Sequence, residues 1–150
     1  MHIDFTPEQK ALRDELRSYV SELLTDELTA ELSSGGEGGG PEYMKAMRKM
    51  GQDGLLGLGW PKEWGGQGRS AIEQFIFVEE IMRVGYPFPF LTTESVGPQL
   101  AEAGNDWQKA EIVPRILAGD CLIAIGYSEP GAGTDLASLK TSRSVTGMAG

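Results

Sequence analysis

The sequence contains few of the residues that hold disulfides and metals, with one cysteine, Cys121, and one histidine, His2, among 150 residues. A single cysteine cannot form an internal disulfide. Because Cys121 opens an apolar run, a buried and unreactive thiol is favoured over a reactive one. His2 stands alone near the start, and no role is assigned to it. The composition therefore predicts neither a disulfide framework nor a metal site.

Long apolar runs are also absent, since none approaches the ~20 residues that a membrane-spanning helix requires. The first residues lack the charged and apolar regions of a signal peptide. Basic residues are the minority charge, with 13 Lys and Arg against 22 Asp and Glu, for a net charge of −9. Nucleic-acid surfaces and anionic membranes need basic patches, so the balance argues against both partners. A cytoplasmic protein is predicted.

What the chain does contain is enough apolar sequence, 40% of residues, for a core. A length of 150 residues predicts one domain, or one domain and the start of another. Apolar residues recur at helical spacing through most of the chain, which predicts five or six helices. Two helix starts have capping boxes, Thr6 with Gln9 and Ser70 with Glu73. Pro41 is expected to start a further short helix.

The helix after Ser70 is apolar on most sides, which is typical of the middle of a helical bundle. Glu79 and Glu80 lie in it, but adjacent residues point about 100° apart on a helix, so they are not a convincing acid/base pair. At least one is expected to be solvated or salt-bridged, for example Glu79 with Arg83. Further on, Pro114 should kink or break the last helix.

Two loops rich in glycine separate these helices. Residues 33–40 are predicted to be a flexible linker, since no Gly-Lys-Ser/Thr follows that would make them a phosphate loop. Residues 55–68 contain too many glycines for a regular helix and are predicted to form a packed turn anchored by Trp60 and Trp64. Later, Thr92 or Thr93 is expected to cap a helix that runs to Ala103, and Asp106 to cap the next one.

The stretch at residues 123–135 organises the rest. An apolar run predicts a buried strand or extended segment, which Ser128, Glu129 and Pro130 then break. Gly-Ala-Gly follows at residues 131–133, almost without side chains, so a flat ligand could lie against the backbone. The free N–H groups and the hydroxyls of Ser128 and Thr134 could donate hydrogen bonds to it. A tight surface turn without a ligand is the alternative that Gly-Ala-Gly alone would favour.

The nine residues Tyr-Ser-Glu-Pro-Gly-Ala-Gly-Thr-Asp at positions 127–135 resemble the signature of the acyl-CoA dehydrogenases. The start Phe-Thr-Pro-Glu-Gln at residues 5–9, the Gly- and Pro-containing loop at 57–68, and Gln108, Lys109, Pro114 and Gly119 also fit that family. The resemblance extends to about Thr141. It implies a mainly α protein: an N-terminal helical bundle domain over residues 1–120, followed at 121–150 by the first strand and loop of a truncated β-domain.

The resemblance also implies a cofactor, FAD, and a reaction. That reaction removes an α-proton from an acyl-CoA substrate, passes a β-hydride to flavin N5 and yields the trans-2-enoyl-CoA. Residues that would line the cofactor are Ile125, Tyr127, Ser128, Gly133 and Thr134. Tyr127 and Ser128 would lie nearest the isoalloxazine ring. Thr134 and Phe90 would contact the substrate, and Asp135 would order the loop by accepting backbone N–H bonds.

The resemblance places the catalytic base, a glutamate, in a C-terminal domain outside these 150 residues, so the isolated chain is expected to be inactive. An electron-transfer flavoprotein or similar acceptor and a homo- or hetero-oligomer are implied as partners. The loop at residues 60–66 and the Gly-Tyr-Ser-Glu-Pro version of the signature resemble bacterial members that act on sterol-derived CoA thioesters. Two other interpretations stay open: a non-catalytic truncated subunit, and a helical partner-binding domain without a ligand.

Overall fold

The computed structural model describes residues 4–35 and 38–142, and these form a helical bundle. The six helices are α1 Pro7–Leu23, α2 Asp26–Ser33, α3 Pro41–Gln52, α4 Ala71–Arg83, α5 Gly97–Ala103 and α6 Val113–Leu117. Helices α5 and α6 are each preceded by a π-helical segment, Leu91–Val96 and Gln108–Ile112. The mainly α class and the number of helices predicted from the sequence are therefore confirmed.

The helix starts follow from their capping residues. Thr6 and Ser70 each accept a backbone N–H bond in a complete capping box, as predicted, and Thr25 caps α2 by accepting the Leu28 N–H without a capping box. Pro41 begins α3, since its fixed φ and missing N–H suit a first helical position. Glu31 completes this junction from α2, because its carboxylate accepts the N–H groups of Glu42 and Tyr43.

Two predicted caps are wrong. Thr92 and Thr93 lie inside the π-helical segment and are buried, at 1% and 0% exposed, because the helix begins earlier, after Pro89. The cap of the following helix is Asn105, not Asp106: the Asn105 side chain accepts the N–H of Gln108, whose side chain accepts the N–H of Asn105. Pro114 lies in the first turn of α6, directly after the wide π-helical turns, where its missing N–H disrupts no regular α-helix.

The bundle contains two clusters of buried apolar side chains. The first lies between α1, α3 and α4 and includes Val20, Met47, Leu56, Phe77 and Ile81. The second consists of Trp60, Ala101, Val113 and Ile116, with Cys121 and Ile123 packed against it. The packed turn predicted at residues 55–68 is confirmed, since Trp60 is 4% exposed and the Trp60 and Trp64 rings meet edge to face at 6.4 Å between centroids.

Helices α1 and α4 are joined by a charged network at the edge of the first cluster. Arg17 donates two hydrogen bonds to the Glu80 carboxylate, at 2.7 and 3.0 Å, and Arg83 donates a third at 3.1 Å. Glu80 is 2% exposed, whereas the arginine side chains are about half exposed. The expected pair of Glu79 with Arg83 is therefore replaced by Glu80 with Arg83, because Glu80 is the residue that faces α1.

The predicted strand is not formed among the residues that the structure describes. Residues 121–128 form neither a helix nor a β-ladder, and the one β-bridge among the described residues joins Glu129 to Ala132 across a turn. The reason is physical: a strand needs a neighbouring strand to accept its backbone hydrogen bonds, and here the neighbours are helices. The predicted β-domain also included residues 143–150, which lie outside the described residues.

The linker predicted at residues 33–40 connects α2 to α3. Its described residues after the end of α2, which are residues 34, 35 and 38–40, contain no helix or strand. Within the described part of the chain, no helix is both long and apolar enough to span a membrane.

Replacing Glu80 with glutamine should lower the free energy of unfolding by about 1–3 kcal/mol, because it removes the buried carboxylate that holds Arg17 and Arg83. Denaturant unfolding at pH 7 measures the change. Glu79→Gln is the matched control, since Glu79 is the exposed neighbour on the same helix, and its effect should stay within about 0.5 kcal/mol. Equal losses for both variants would contradict the role assigned to Glu80.

The same variant makes a prediction about pH. The hydrogen bonds from Arg17 hold the pKa of Glu80 below its ordinary value of 4.5. A carboxyl whose pKa is lowered by folding contributes stability above its unfolded pKa and loses that contribution as the pH falls through the folded value. The stability difference between the native chain and Glu80→Gln should thus be full at pH 6–7 and shrink below about pH 4.5. A difference that is constant from pH 7 to pH 3 would contradict it.

Candidate functional site

The candidate site is the loop at residues 126–135, which we call the signature loop. The chain reaches it from the turn at Gly119, where φ is +76° and a Cβ would lie 2.3 Å from the Met47 carbonyl oxygen. Only glycine fits there, so α6 can end against α3 and direct the chain outward. Cys121 and Ile123 then pack against the second cluster, and residues 124–128 are exposed.

A tight turn forms the first part of the signature loop. Glu129 and Ala132 exchange both backbone hydrogen bonds, at 2.8 and 3.0 Å, with Pro130 and Gly131 between them. Proline in the second position of a turn has its φ already set, so little conformational entropy is lost on forming it. Ala132 is buried, whereas Gly131 and Gly133 on either side of it are exposed.

The Glu129 side chain closes the loop from the other end. Its carboxylate accepts the N–H groups of Lys140 at 2.9 Å and Thr141 at 2.6 Å, and also the Thr141 hydroxyl. These hydrogen bonds to the charged form lower the pKa of Glu129, the Thr141 hydroxyl contributing most. The glutamate of the signature is therefore a structural clamp in this chain, with both carboxylate oxygens bound within the protein.

Asp135 orders the middle of the loop. Its carboxylate accepts the Ala137 N–H at 3.2 Å and caps the short 3₁₀ turn Leu136–Ser138. This is the role predicted for Asp135 from the sequence, and it is confirmed. Together the turn at Glu129, the cap at Asp135 and the Glu129 clamp join residues 129–141 by hydrogen bonds within that stretch.

The glycines of the signature loop differ from those elsewhere in the chain. At Gly66 and Gly97 an added Cβ would lie 2.2 and 2.4 Å from a backbone oxygen, so packing within the chain requires glycine. At Gly126, Gly131 and Gly133 an added Cβ would meet nothing within 4 Å, and none of the three has a positive φ. Neither packing nor backbone conformation in this chain requires glycine at these positions.

The structure places five predicted ligand residues together on this loop and the segment before it. Ile125 and Tyr127 are 47% and 66% exposed, which is high for large apolar side chains. Ser128, Gly133 and Thr134 are exposed as well. No hydrogen bond within the described residues uses the side chains of Ser128 or Thr134, so both hydroxyls are open to an outside acceptor.

The sixth predicted residue, Phe90, lies on a different element. It is 40% exposed, at the start of the segment that leads to α5, and meets the buried Phe88 edge to face at 5.3 Å between ring centroids. Phe90 has no ring contact with Tyr127 in this structure. It nevertheless lies two positions before Thr92, whose hydroxyl accepts the Ile123 N–H at 2.9 Å, so Phe90 is close in the chain to the anchor of the loop.

Sequence reasoning missed Thr92 as a contact of the site. It identified Thr92 only as a possible helix cap, because a hydroxyl residue after prolines commonly is one. No sequence signal links Thr92 to Ile123, which is 31 residues away. The Glu129 clamp was missed for the same reason, since its partners at 140 and 141 are specified only by how the loop folds back.

Apart from the signature loop, a concave surface with a volume of about 520 Å³ lies between α1, α2 and α3. Its floor includes Leu23 and Leu28, and its cations are Lys45, Arg48 and Lys49. Each of these cations is already paired with a carboxylate: Lys45 with Glu42, Arg48 with Asp120 and Lys49 with Asp53. No unpaired cation among these three is therefore available to select a ligand. Among the described residues, no group of three or more His, Cys, Asp or Glu side chains could hold a metal ion.

Comparison with known proteins bears on the whole chain. Residues 6–120 match the family model described as "Acyl-CoA dehydrogenase, N-terminal domain". The chain is 54% identical over 143 residues to acyl-CoA dehydrogenase FadE26 of Mycobacterium tuberculosis, and 50% identical over 141 residues to FadE29 of the same organism. Each alignment covers 94% of this chain but 36% of the relative, so the chain spans just over a third of the length of these proteins.

Solved structures give the same picture. The chain matches the ChsE4–ChsE5 complex of Mycobacterium tuberculosis with a TM-score of 0.83 and 52% identity, over 95% of this chain and 36% of the matched chain. It matches a structure titled "Tcur3481-Tcur3483 steroid ACAD" with a TM-score of 0.82 and 47% identity, over 93% of this chain and 36% of that one. Both titles name two different chains.

Replacing Glu129 with glutamine should loosen the signature loop, because a neutral amide accepts the bonds from Lys140 and Thr141 more weakly. Trypsin cleaves after lysine and needs a locally unfolded backbone. Cleavage after Lys140 under native conditions should therefore be about fivefold faster, the change expected for ~1 kcal/mol of lost hydrogen bonding. The exposed Glu111, changed to glutamine, is the matched control. An unchanged rate at Lys140 would show that the clamp does not hold the loop.

Proposed function

The chain belongs to the acyl-CoA dehydrogenase family, and from this we propose that it is the N-terminal part of a FAD-dependent acyl-CoA dehydrogenase, with the signature loop as one wall of the flavin site. The proposed division is a helical domain at residues 1–120 and the start of a β-domain at 121–150. When bound, FAD would accept the hydride from an acyl-CoA thioester that becomes the 2-enoyl-CoA.

The observation that carries the proposal is the set of glycines that nothing in the chain requires. Gly126, Gly131 and Gly133 leave bare backbone open to the outside, Gly126 directly before exposed Tyr127 and Gly133 directly before exposed Thr134. A large flat ring needs such a surface, because side chains would hold it away from the backbone amides. The apolar exposure of Ile125 and Tyr127 suits the same ring, since flavin buries most of its area against apolar groups.

Local order in the loop supports the same proposal. The clamp at Glu129 and the cap at Asp135 fix residues 129–141 through their own contacts. A ligand that meets an ordered loop does not lose affinity to the cost of ordering it. Ser128 and Thr134 would orient the flavin by donating their hydroxyl hydrogens to ring acceptors, and Thr134 with Phe90 would border the acyl substrate.

We propose that the chain supplies no catalytic base. A base must reach the α-proton with an unoccupied carboxylate oxygen. Glu80 is bound by two arginines in the bundle, and Glu129 is bound by amides of the loop. Neither carboxylate is therefore available, and on the family resemblance we assign the base to a glutamate outside these residues, so the isolated chain should be inactive.

The proposed substrate is a sterol-derived acyl-CoA, and the proposed assembly is an oligomer with a second subunit. The support is identity: 47% to the protein titled a steroid ACAD, and 52% to a chain of the ChsE4–ChsE5 complex. An electron-transfer flavoprotein or a similar acceptor would take the electrons onward. The second candidate function is a non-catalytic subunit that binds a partner chain, which the match to two-chain complexes also favours.

A chimera tests the proposed function. Residues 4–142 of this chain would replace the corresponding segment of the matched chain in the ChsE4–ChsE5 complex, with its partner co-produced. The proposal expects a yellow complex that retains FAD and reduces a dye with a steroid acyl-CoA in preference to a straight-chain acyl-CoA. A folded, assembled but colourless complex would overturn it and favour the non-catalytic subunit. Turnover by the 150-residue chain alone would contradict the assignment of the base.

Substituting alanine for Gly133 separates ligand contact from folding. In the isolated chain, the free energy of unfolding should be unchanged or raised by less than about 1 kcal/mol, because the added methyl group meets nothing. In the chimera, FAD affinity should fall about tenfold or more, because the methyl group would lie against the ring. Gly97→Ala is the opposite control: it should destabilise the chain, since its Cβ would lie 2.7 Å from the Trp60 ring. Full FAD affinity in Gly133→Ala would contradict the flavin contact.

A further inference from the structure

We infer that Thr92 is a positioning residue, whose buried hydroxyl fixes the register in which the chain enters the signature loop. This inference rests on the proposed function and adds to it a residue on a different element, far from the signature in the sequence. Thr92 is 1% exposed, and its Oγ1 accepts the Ile123 N–H at 2.9 Å.

The attachment of residues 121–128, which we call the entry segment, depends on this contact. The structure describes all of residues 121–128. Their backbone makes one hydrogen bond to the helical bundle, the bond from the Ile123 N–H to Thr92. The other attachment is apolar packing of Cys121 and Ile123 against the second cluster. Apolar packing is not directional, whereas a hydrogen bond to one N–H selects one residue. The Thr92 hydroxyl therefore distinguishes the observed register from one shifted along the chain.

The consequence of a shift is large because the segment alternates sides where it meets the bundle: Cys121 and Ile123 pack against the second cluster, whereas Leu122 between them is 39% exposed. Alternate residues of an extended chain face opposite sides, so a slip of one residue exchanges the sides of all of them. A slip of one residue would therefore turn Leu122 inward and Ile123 outward, and Tyr127 and Ser128, which follow Ile123 by four and five positions, would be displaced with them. A slip would also displace the segment by ~3.3 Å. The ring and hydroxyl proposed to meet the flavin would then be misplaced together.

The surroundings of Thr92 hold it rigidly. The next residue, Thr93, is 0% exposed, and its carbonyl accepts the Trp60 indole N–H at 2.9 Å. Gly97 lets the Trp60 ring lie against this segment, since a Cβ there would lie 2.7 Å from the ring. The same Cβ would lie 2.4 Å from the Thr92 carbonyl oxygen. The segment is π-helical, a local widening that often occurs at functional sites. The Trp60 indole thus holds the segment that contains Thr92, and the Thr92 hydroxyl faces the entry segment.

Three variants isolate the hydroxyl. Thr92→Val keeps the shape and removes the acceptor, and Thr92→Ser keeps the acceptor. Thr93→Val is the matched control, because Thr93 is equally buried, while its hydroxyl donates to the Pro89 carbonyl within its own helix at 3.2 Å. Thr92→Val and Thr93→Val should lose similar amounts of global stability, so stability alone does not test the inference.

The first measurement is amide hydrogen exchange on the 150-residue chain, which needs no flavin. Exchange at Ile123 should be about tenfold faster in Thr92→Val than in the native chain, because its N–H loses its acceptor. Thr92→Ser and Thr93→Val should keep the native rate at Ile123, relative to the amides of α4. Equal rates at Ile123 in Thr92→Val and Thr93→Val would overturn the inference.

The second measurement uses the chimera with the ChsE4–ChsE5 complex. Thr92→Val should weaken FAD binding about tenfold and shift the visible spectrum of the bound flavin, whereas Thr93→Val and Thr92→Ser should do neither. Native FAD affinity and spectrum in Thr92→Val would overturn the positioning role while leaving the proposed function intact. A native chimera without flavin would instead overturn the proposed function, and the inference that rests on it would fall as well.

Discussion

The indole of Trp60 is the contact on which the candidate site depends. Its N–H donates to the Thr93 carbonyl, and its ring lies in the second cluster with Ala101, Val113 and Ile116. Gly66 lets the Gly-rich turn close against Trp60, since a Cβ there would lie 2.2 Å from the Trp60 carbonyl oxygen. Because Trp60 fixes the segment before α5, that segment can present Thr92 to the chain entering the signature loop. Remove the indole, and the anchor of the loop loses its support.

The bundle and the loop are held by different forces. The first cluster is apolar and is joined at its edge by Glu80, whose carboxylate draws arginines from α1 and α4 to one buried point. The signature loop has almost no core, with Ala132 its buried side chain, and is held by carboxylates that accept backbone N–H groups. A bundle held by packing is rigid, whereas a loop held by its own polar contacts can leave its outer face bare for a ligand.

Some glycines in this chain are required by its packing or backbone conformation and others are not, and only the structure distinguishes the two kinds. Gly119 has a positive φ and lies where a Cβ would collide with α3, so it serves the fold. Gly131 and Gly133 have ordinary φ values and open space, so the fold does not require them. Conformation and packing account for the first kind. For the second kind, beside exposed Tyr127, we propose contact with a ligand or with polypeptide outside these residues, as the proposed function requires.

The sequence by itself determined the helices, because capping boxes at Thr6 and Ser70 and apolar periodicity are local signals that act within one or two turns. It also determined the family, through a signature whose residues are contiguous. Tertiary structure decided the rest. Whether Glu79 or Glu80 is paired, whether Thr92 caps a helix or anchors a loop, and whether residues 123–127 find a neighbouring strand all depend on partners distant in the chain. Contacts of that kind leave no periodic or local mark in a single sequence, since they are set by how the helices pack.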